Sequence, residues 1–311
     1  PLTPMGDTVK HSYYLPFATS LRMGDLGYTS RAQATLAVCY NSLEEYISTL
    51  KTAILTPHES YRNLKSPVGE ISQLNDSMLQ IENEYYSPIR PKRVTRSGQA
   101  PLVALKEDGI EYVEIRCIDV NPFLSLGIDA NTMHLLDLFL ISCLIEDSPL
   151  CDENAQKRQK LNFKRVINQG RQPGLTLVSD EGVETSVKDL ALPILNRMEE
   201  ISQWLDEAVG EARFKETLQD ARDKVNDASK TPSAKVLAGM ESSRQGFQQF
   251  GIEYSRKWHQ VHSSAALPQS VIDRFTREAK YSVARQNVLE SSDLMNFSDY
   301  LRRFYRQYDR L

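Results

Sequence analysis

Glu114 and Arg116 are the residues whose types and spacing point most directly to chemistry. Both lie in the segment from Glu111 to Cys117, where apolar and polar residues alternate. A period of two predicts a strand on which Glu114 and Arg116 point to the same side. Because a carboxylate binds Mg²⁺ and a guanidinium binds a phosphoryl group, the pair suits an ATP-dependent reaction. The alternative is a solvated sheet face with a cross-strand ion pair.

A second alternating segment, Leu79 to Tyr86, predicts another strand. Its polar side includes Glu82, Glu84 and Tyr86. If the polar faces of the two strands coincide, several carboxylates line one cleft and need a cation, since clustered carboxylates repel one another. The sequence lacks the glycine-rich phosphate loops GxGxxG and GxxxxGKS/T. A basic run that follows is either an anion site or an ordinary solvated loop: Arg90, Lys92, Arg93 and Arg96.

The composition excludes several classes of protein. The chain has 311 residues, 41 % hydrophobic and 25 % charged, which is typical of a globular protein and not of a disordered one. Its formal net charge of -4 argues against nucleic acid as the main partner. The longest apolar stretch, residues 135–145, is shorter than the roughly 20 residues that span a bilayer, so no membrane is expected. Cysteines without C-x-x-C spacing predict a cytoplasmic protein in which the Cys117 and Cys143 thiols are buried.

Apolar periodicity predicts the elements of the first part of the chain. Residues 1–30 predict a loop with one short strand. A stripe from Leu36 to Ile54 predicts a helix that Ser30 caps and Pro57 ends. The polar segment 57–77 predicts a mobile surface loop.

The later part of the chain is predicted to be mainly helical. Asp129 is the expected cap of a buried helix through the apolar run 133–145, and residues 165–178 pass from a helix end into a strand. Ser186 and Thr231 are further expected caps, and amphipathic patterns cover residues 268–290 and 296–309. The predicted fold class is therefore α+β, with a sheet-bearing part at 1–185 and a helical part at 186–311.

Four stretches of the sequence are long and unusual: YYLPFATSLRMGDLGYT (13–29), LQIENEYYSPIRPKRVTRSG (79–98), GIEYVEIRCIDVNPF (109–123) and GRQPGLTL (170–177). They closely resemble the proteobacterial type of glutamate–cysteine ligase, or gamma-glutamylcysteine synthetase. The similarity is nearly continuous from Tyr13 to Leu177. It implies a glutamine-synthetase-like fold whose antiparallel sheet forms an active-site funnel.

The resemblance also implies an activity, the first step of glutathione biosynthesis. In that family ATP phosphorylates the side-chain carboxylate of L-glutamate, and the amine of L-cysteine displaces phosphate from the acyl phosphate. Mg²⁺ bridges the phosphates. Two alternatives stay open: a non-catalytic, partner-binding remnant of the same scaffold, and a related carboxylate–amine ligase with another amine substrate.

Site residues follow from the resemblance position by position. Glu114 matches a Mg²⁺ ligand, and Arg116 matches the arginine that contacts the transferred phosphoryl group. Tyr86 and Tyr28 match residues around the bound cysteine, and Arg22 matches one that holds the carboxylate of that cysteine. The resemblance assigns no particular role to GRQPGLTL.

The family's enzymes are longer at the N-terminus than this chain. Most of their acidic metal ligands and glutamate-binding residues lie upstream of the position that matches Pro1. The resemblance therefore implies the C-terminal portion of the enzyme. A single matched carboxylate does not supply the oxygens that Mg²⁺ requires. We expect the chain to be inactive unless a separate N-terminal segment of the same enzyme associates with it.

Overall fold

The computed structural model describes residues 2–5, 12–27, 29–30, 32–62, 64 and 73–311. Tyr28 and much of the segment predicted as a surface loop lie outside these residues. The chain divides into two compact units. Unit 1 comprises Pro1–Arg31, Tyr86–Ile89 and Ile115–Arg256, and unit 2 comprises Ala32–Tyr85, Arg90–Glu114 and Lys257–Leu311.

The described residues are mostly helical, with small antiparallel sheets, as α+β predicts. The helices are α1 Leu43–Leu55, α2 Glu59–Arg62, α3 Pro101–Asp108, α4 Ala130–Ile145, α5 Glu153–Gln169, α6 Val187–Val209, α7 Arg213–Asn226, α8 Pro232–Ser243, α9 Phe247–Ser264, α10 Gln269–Ser292 and α11 Phe297–Tyr305. The strands are β1 Thr3–Pro4, β2 Tyr13–Tyr14, β3 Ile89–Lys92, β4 Tyr112–Ile115, β5 Thr176–Val178 and β6 Glu184–Ser186. They pair as β1–β2, β3–β4 and β5–β6.

The core of unit 1 forms where α4, α6 and α7 pack together. Their buried side chains are Leu138, Leu195, Met198, Ile201, Phe214, Leu218 and Ala221. The predicted caps are confirmed: the side chains of Asp129, Ser186 and Thr231 accept hydrogen bonds from the first turns of α4, α6 and α8. The prediction that α4 is buried throughout is wrong, since Leu144 is 85 % exposed.

Unit 2 packs α1 and α3 with the C-terminal residues around a second core. This core contains Tyr46, Leu50, Ile54, Leu79, Leu102 and Tyr308 among others. The predicted start of the first helix at Ser30 is wrong, because α1 begins at Leu43 and its cap is Ser42. Leu36 still packs against the core, but from a non-helical segment. A stripe of apolar residues indicates which side chains are buried. Here Leu36 is packed against the core although its backbone is not helical.

The strand predictions are confirmed only in part. Residues 112–115 form β4, shorter than the predicted segment, and residues 176–178 form β5. The strand predicted for residues 79–86 is wrong, because Glu82–Glu84 is a 3-10 helix. β3 and α3 were not predicted.

The cysteines are free thiols, but the predicted burial of Cys143 is wrong. Cys143 is exposed, and Cys117 is partly buried. Among the described residues, none of the helices combines the length and hydropathy that crossing a bilayer requires.

Asp129 makes the stability of α4 depend on pH. Burial raises the pKa of this carboxyl, but hydrogen bonds from Thr132 outweigh burial, and the pKa lies below its ordinary value of 3.8. The stabilisation by the cap is therefore present above pH 3.8 and is lost as the pH falls through the lowered pKa. We expect Asp129→Ala to reduce the free energy of unfolding by about 0.5–2 kcal/mol at neutral pH.

Urea unfolding from neutral to acid pH measures this effect. The difference between wild type and Asp129→Ala should shrink as the pH falls. Asp129→Asn is the matched control, because asparagine caps a helix about as well as aspartate but does not titrate in this range. A difference that stays constant with pH would contradict the assignment.

Candidate functional site

Arg22 and Arg116 lie together in unit 1, although 94 residues separate them in sequence. The Arg22 Nε donates to the backbone carbonyl of Arg116 at 2.5 Å. The backbone N–H of Arg22 donates to Asp119 Oδ1 at 2.7 Å. Two bonds therefore fasten the loop that carries Arg22 to the segment that follows β4. Arg22 and Arg116, which the resemblance predicts to bind anions, therefore lie on two segments that are hydrogen-bonded to each other.

The segment that carries Tyr86 is attached to the same part of unit 1. The backbone N–H of Arg116 donates to the Pro88 carbonyl at 2.7 Å. Ser87 is buried, and its hydroxyl donates to the Ile89 carbonyl at 2.8 Å. Tyr86 itself is 38 % exposed. The structure therefore links the segments that carry Arg22, Tyr86 and Arg116.

The charges of Arg22 and Asp119 affect the pKa of the neighbouring Cys117 thiol. Burial raises the pKa of the Cys117 thiol, the positive charge of Arg22 lowers it, and Asp119 raises it. The net pKa is higher than the ordinary thiol value. The thiol is therefore protonated at neutral pH, and Cys117 is not an activated nucleophile.

Glu82 has a structural role in unit 2, contrary to its predicted position on a polar face. Glu82 is 6 % exposed. Its Oε1 accepts from the Leu102 N–H at the start of α3 at 2.7 Å. Its Oε2 accepts from the Tyr308 hydroxyl at 2.5 Å. Burial and the nearby negative charge of Glu82 raise the pKa of Tyr308, so the phenol stays protonated and donates.

Glu84 also serves local structure. Its carboxylate accepts hydrogen bonds from the backbone and side-chain nitrogens of Gln80 at 2.8 Å and 3.0 Å. The Gln33 side chain donates to the Glu84 carbonyl at 2.7 Å. The predicted cleft lined by clustered carboxylates is not found, and the described part of the chain contains no group of three or more metal-binding side chains.

The basic run of the sequence mostly holds the backbone in place. Arg90 is 3 % exposed and donates to the carbonyls of Asn83 and Tyr85. Arg93 donates to the Asp108 carbonyl at 3.0 Å, and its Nε lies 3.6 Å from a Glu111 carboxylate oxygen. Arg90 is therefore not part of an ordinary solvated loop, and its guanidinium binds backbone carbonyls of its own segment.

Glu114 lies on β4, within unit 2. It is partly buried, and its charge contributes to the raised pKa of the Tyr46 phenol, which burial raises most. A carboxylate oxygen is a ligand that Mg²⁺ prefers. One carboxylate does not make a magnesium site, so the described residues do not hold this ion on their own.

Three supporting residues of the site were missed by sequence reasoning. Asp119 binds the backbone of Arg22, and Thr19 and Arg171 bind the C-terminal end of α5 to the loop before Arg22. Asp119 stands in the motif IDVNPF directly after Arg116, which is a signal for it. Thr19 and Arg171 lie in two of the four resembling motifs but carry no periodic signal.

Comparison with known proteins decides the family. The family model for glutamate-cysteine ligase matches residues 3–166, just over half of the chain. The chain belongs to the glutamate–cysteine ligase family. It is 44 % identical over 285 residues to a glutamate–cysteine ligase of Pseudomonas putida W619, covering 91 % of this chain and 54 % of the relative. It is 43 % identical over 296 residues to one from Pseudomonas aeruginosa UCBPP-PA14, covering 94 % and 55 %.

Solved structures agree with this membership of the ligase family. A glutamate–cysteine ligase from Francisella tularensis in complex with AMP aligns with a TM-score of 0.86 and 35 % identity, covering 96 % of this chain and 58 % of that one. A bifunctional glutathione synthetase from Pasteurella multocida, 19 % identical with a TM-score of 0.55, shares the fold. The chain spans about half the length of the curated relatives it matches. The individual roles of Arg22, Tyr28, Tyr86, Glu114 and Arg116 stay predictions.

The bond between Asp119 and Arg22 predicts a local effect on the Arg22 loop. We expect Asp119→Ala to speed amide hydrogen exchange at Arg22 by roughly fivefold, because a net hydrogen bond contributes about 1 kcal/mol. Peptides from α6 and α7 should exchange as in the wild type. Hydrogen exchange followed by mass spectrometry measures both regions.

Asp119→Asn is the matched control for this experiment. Its side-chain oxygen retains the acceptor while the charge is removed, so exchange at Arg22 should stay close to that of the wild type. Equal loss of protection in both variants would show that the charge of Asp119, and not its hydrogen bond, holds the loop. No change in either variant would show that the bond does not restrain the loop.

Proposed function

We propose that this chain contributes to an ATP-dependent ligase that joins the γ-carboxylate of L-glutamate to the amine of L-cysteine. The main structural support for the proposal is the hydrogen bond from the Arg22 side chain to the Arg116 carbonyl. It holds together two segments whose arginines suit anionic substrates. The wider argument rests on the family, whose named relatives are glutamate–cysteine ligases.

The chemistry assigns different anions to the two arginines. A glutamate oxygen attacks the γ-phosphorus of ATP, and ADP leaves. The cysteine nitrogen then attacks the acyl phosphate, and inorganic phosphate leaves. Arg116 would neutralise charge on the transferred phosphoryl group. Arg22 would hold the carboxylate of cysteine, so that the amine faces the acyl carbon.

The tyrosines would form the wall of the cysteine pocket. Tyr86 is 38 % exposed, as a residue that meets a ligand must be. We propose Tyr28 as its counterpart, from the motif DLGYT. Walls of this kind exclude water, which would otherwise hydrolyse the acyl phosphate.

Glu114 is the one residue of this chain that we propose as a magnesium ligand. When bound, the ion supplies positive charge that stabilises transferring phosphate oxygens. Glu114 would contribute one oxygen, and the others would come from phosphate, water and an N-terminal segment outside this chain. We propose that this segment completes the funnel-shaped site and that residues 1–185 carry the ligand-binding part. The Francisella tularensis structure with AMP supports a nucleotide as ligand.

ADP release by the native protein that contains this chain tests the function. The reaction contains ATP and Mg²⁺, with glutamate and cysteine added singly and together, and with glutamate and another amino acid in place of cysteine. Release that requires both amino acids is expected. Release with glutamate and another amine, but not with cysteine, would indicate a different carboxylate–amine ligase. No release under any condition would favour a non-catalytic protein on the same scaffold.

Tyr86→Ala tests the substrate assignment. We expect the KM for cysteine to rise about tenfold, equivalent to about 1.4 kcal/mol of lost binding, while the KM for ATP changes less than about twofold. Tyr281→Ala is the matched control, because Tyr281 is also an exposed tyrosine but lies on α10, outside the four motifs that carry the proposed site. Equal increases in both KM values would remove Tyr86 from the cysteine pocket.

A further inference from the structure

The motif GRQPGLTL meets the loop before Arg22 at the C-terminal end of α5. Arg171 makes three bonds to three consecutive carbonyls of that loop. Its Nη2 donates to Pro16 at 2.7 Å, its backbone N–H to Phe17 at 3.0 Å and its Nε to Ala18 at 3.0 Å. A planar guanidinium with fixed donor directions suits such a set of acceptors. Arg171 therefore fixes the path of residues 16–18.

Thr19 continues this attachment one residue further along the loop. Its backbone N–H donates to the Ile167 carbonyl at 2.9 Å. Its hydroxyl donates to the Val166 carbonyl at 2.7 Å. Both acceptors belong to the last turn of α5, where the Val166 carbonyl also accepts from the Gly170 N–H at 2.9 Å. The loop thus adds two hydrogen bonds to carbonyls at the end of α5.

Gly170 allows the two segments to approach. A Cβ atom at this position would lie 2.6 Å from Thr19 Cγ2 and 2.5 Å from the Val166 carbonyl oxygen. Both distances are shorter than van der Waals contact, so a larger residue would force the Thr19 side chain or the end of α5 to shift. The glycine and the arginine of the motif act on the same stretch of chain.

The stretch leads directly to Arg22. Ser20 Oγ accepts from the Met23 N–H at 3.0 Å, which turns the chain after Thr19. The Arg22 backbone and Nε then bond to Asp119 and to the Arg116 carbonyl. The loop is therefore held at two points, at residues 16–19 by the end of α5 and Arg171, and at Arg22 itself by the segment after β4. A long side chain is placed accurately only if its backbone is fixed.

We propose that Arg171 is a positioning residue that sets the geometry of Arg22 toward the carboxylate of the amine substrate. The proposal rests on the proposed function, because it assigns Arg171 to the cysteine-binding side of that reaction. Arg171 contacts no substrate in this scheme. It acts through the backbone of residues 16–19.

The test compares Arg171→Gln with the wild type in the native protein that contains this chain. We expect the KM for cysteine to rise about tenfold, since small displacements of a positioned group cost one to two orders of magnitude. The KM for ATP should change less than about twofold. Arg171→Lys should recover part of the effect, because its ammonium still donates to at least one of the carbonyls. An increase confined to the KM for cysteine separates positioning from general destabilisation.

A double-mutant cycle with Arg22→Gln shows whether Arg171 acts through Arg22. In the Arg22→Gln background, Arg171→Gln should cause little further increase in the KM for cysteine. An increase as large as in the wild-type background would overturn the proposal. Arg165→Gln is the matched control, because Arg165 lies on α5, six residues before Arg171, but bonds to Glu184 and the Thr176 carbonyl.

Two further measurements keep the proposal testable. If Arg171→Gln does not fold, Thr19→Val removes only the hydroxyl bond to α5 and should raise the KM for cysteine in the same direction. Hydrogen exchange at residues 19–23 should increase in Arg171→Gln whether or not the enzyme is active, and unchanged exchange would overturn the positioning role. Absence of ADP release from the wild type would instead refute the proposed function.

Discussion

The buried carboxylate of Glu82 constrains most of the core of unit 2. Removing a carboxylate from water is costly unless hydrogen bonds replace the lost hydration. Here the donors are the first turn of α3 and the phenol of Tyr308. A single side chain therefore joins the 3-10 turn, a buried helix N-terminus and the C-terminal residues. An apolar residue in its place would leave two donors unpaired in the interior, so Glu82 of the motif ENEYYSPIR has an architectural role.

Local signals predicted helices better than strands. The caps Asp129, Ser186 and Thr231 act through bonds to residues three positions away, so their effect is visible in sequence. The alternation at residues 79–86 misled because Leu79 and Glu82 are buried by α1, α3 and Tyr308, and not by a sheet. The apolar stripe that begins at Leu36 also predicted too long a helix, because Leu36 is packed against the core from a non-helical segment. Burial without regular backbone leaves the same pattern as burial within an element.

The candidate site was predictable only where motifs carried it. Alternation selected Glu114, Arg116 and Tyr86, and the resemblance added Arg22 and Tyr28. The supports of Arg22 escaped both approaches, because the bonds of Asp119 and Arg171 span 97 and about 150 residues and target backbone atoms. Every residue has the same backbone carbonyl, so the sequence does not show which carbonyl a distant side chain will bind. The spacing of polar residues also placed Glu82 in a polar cleft. In the structure Glu82 is buried and bonds to the Leu102 N–H and the Tyr308 hydroxyl.

Unit 2 is built from stretches of chain that lie far apart in sequence. The side chain of Gln307 accepts from the Ala100 N–H, 207 residues away, and Lys51 bonds to the carbonyl of Leu311, 260 residues away. Such contacts form only after a long loop closes. The three packed helices α4, α6 and α7 of unit 1 come from one continuous stretch. During synthesis, which proceeds from the N-terminus, that stretch is ready to fold while the apolar side of α1 and α3 still waits for its closing residues. The apolar side of α1 and α3 is therefore exposed to aggregation for longer than the core that α4, α6 and α7 form.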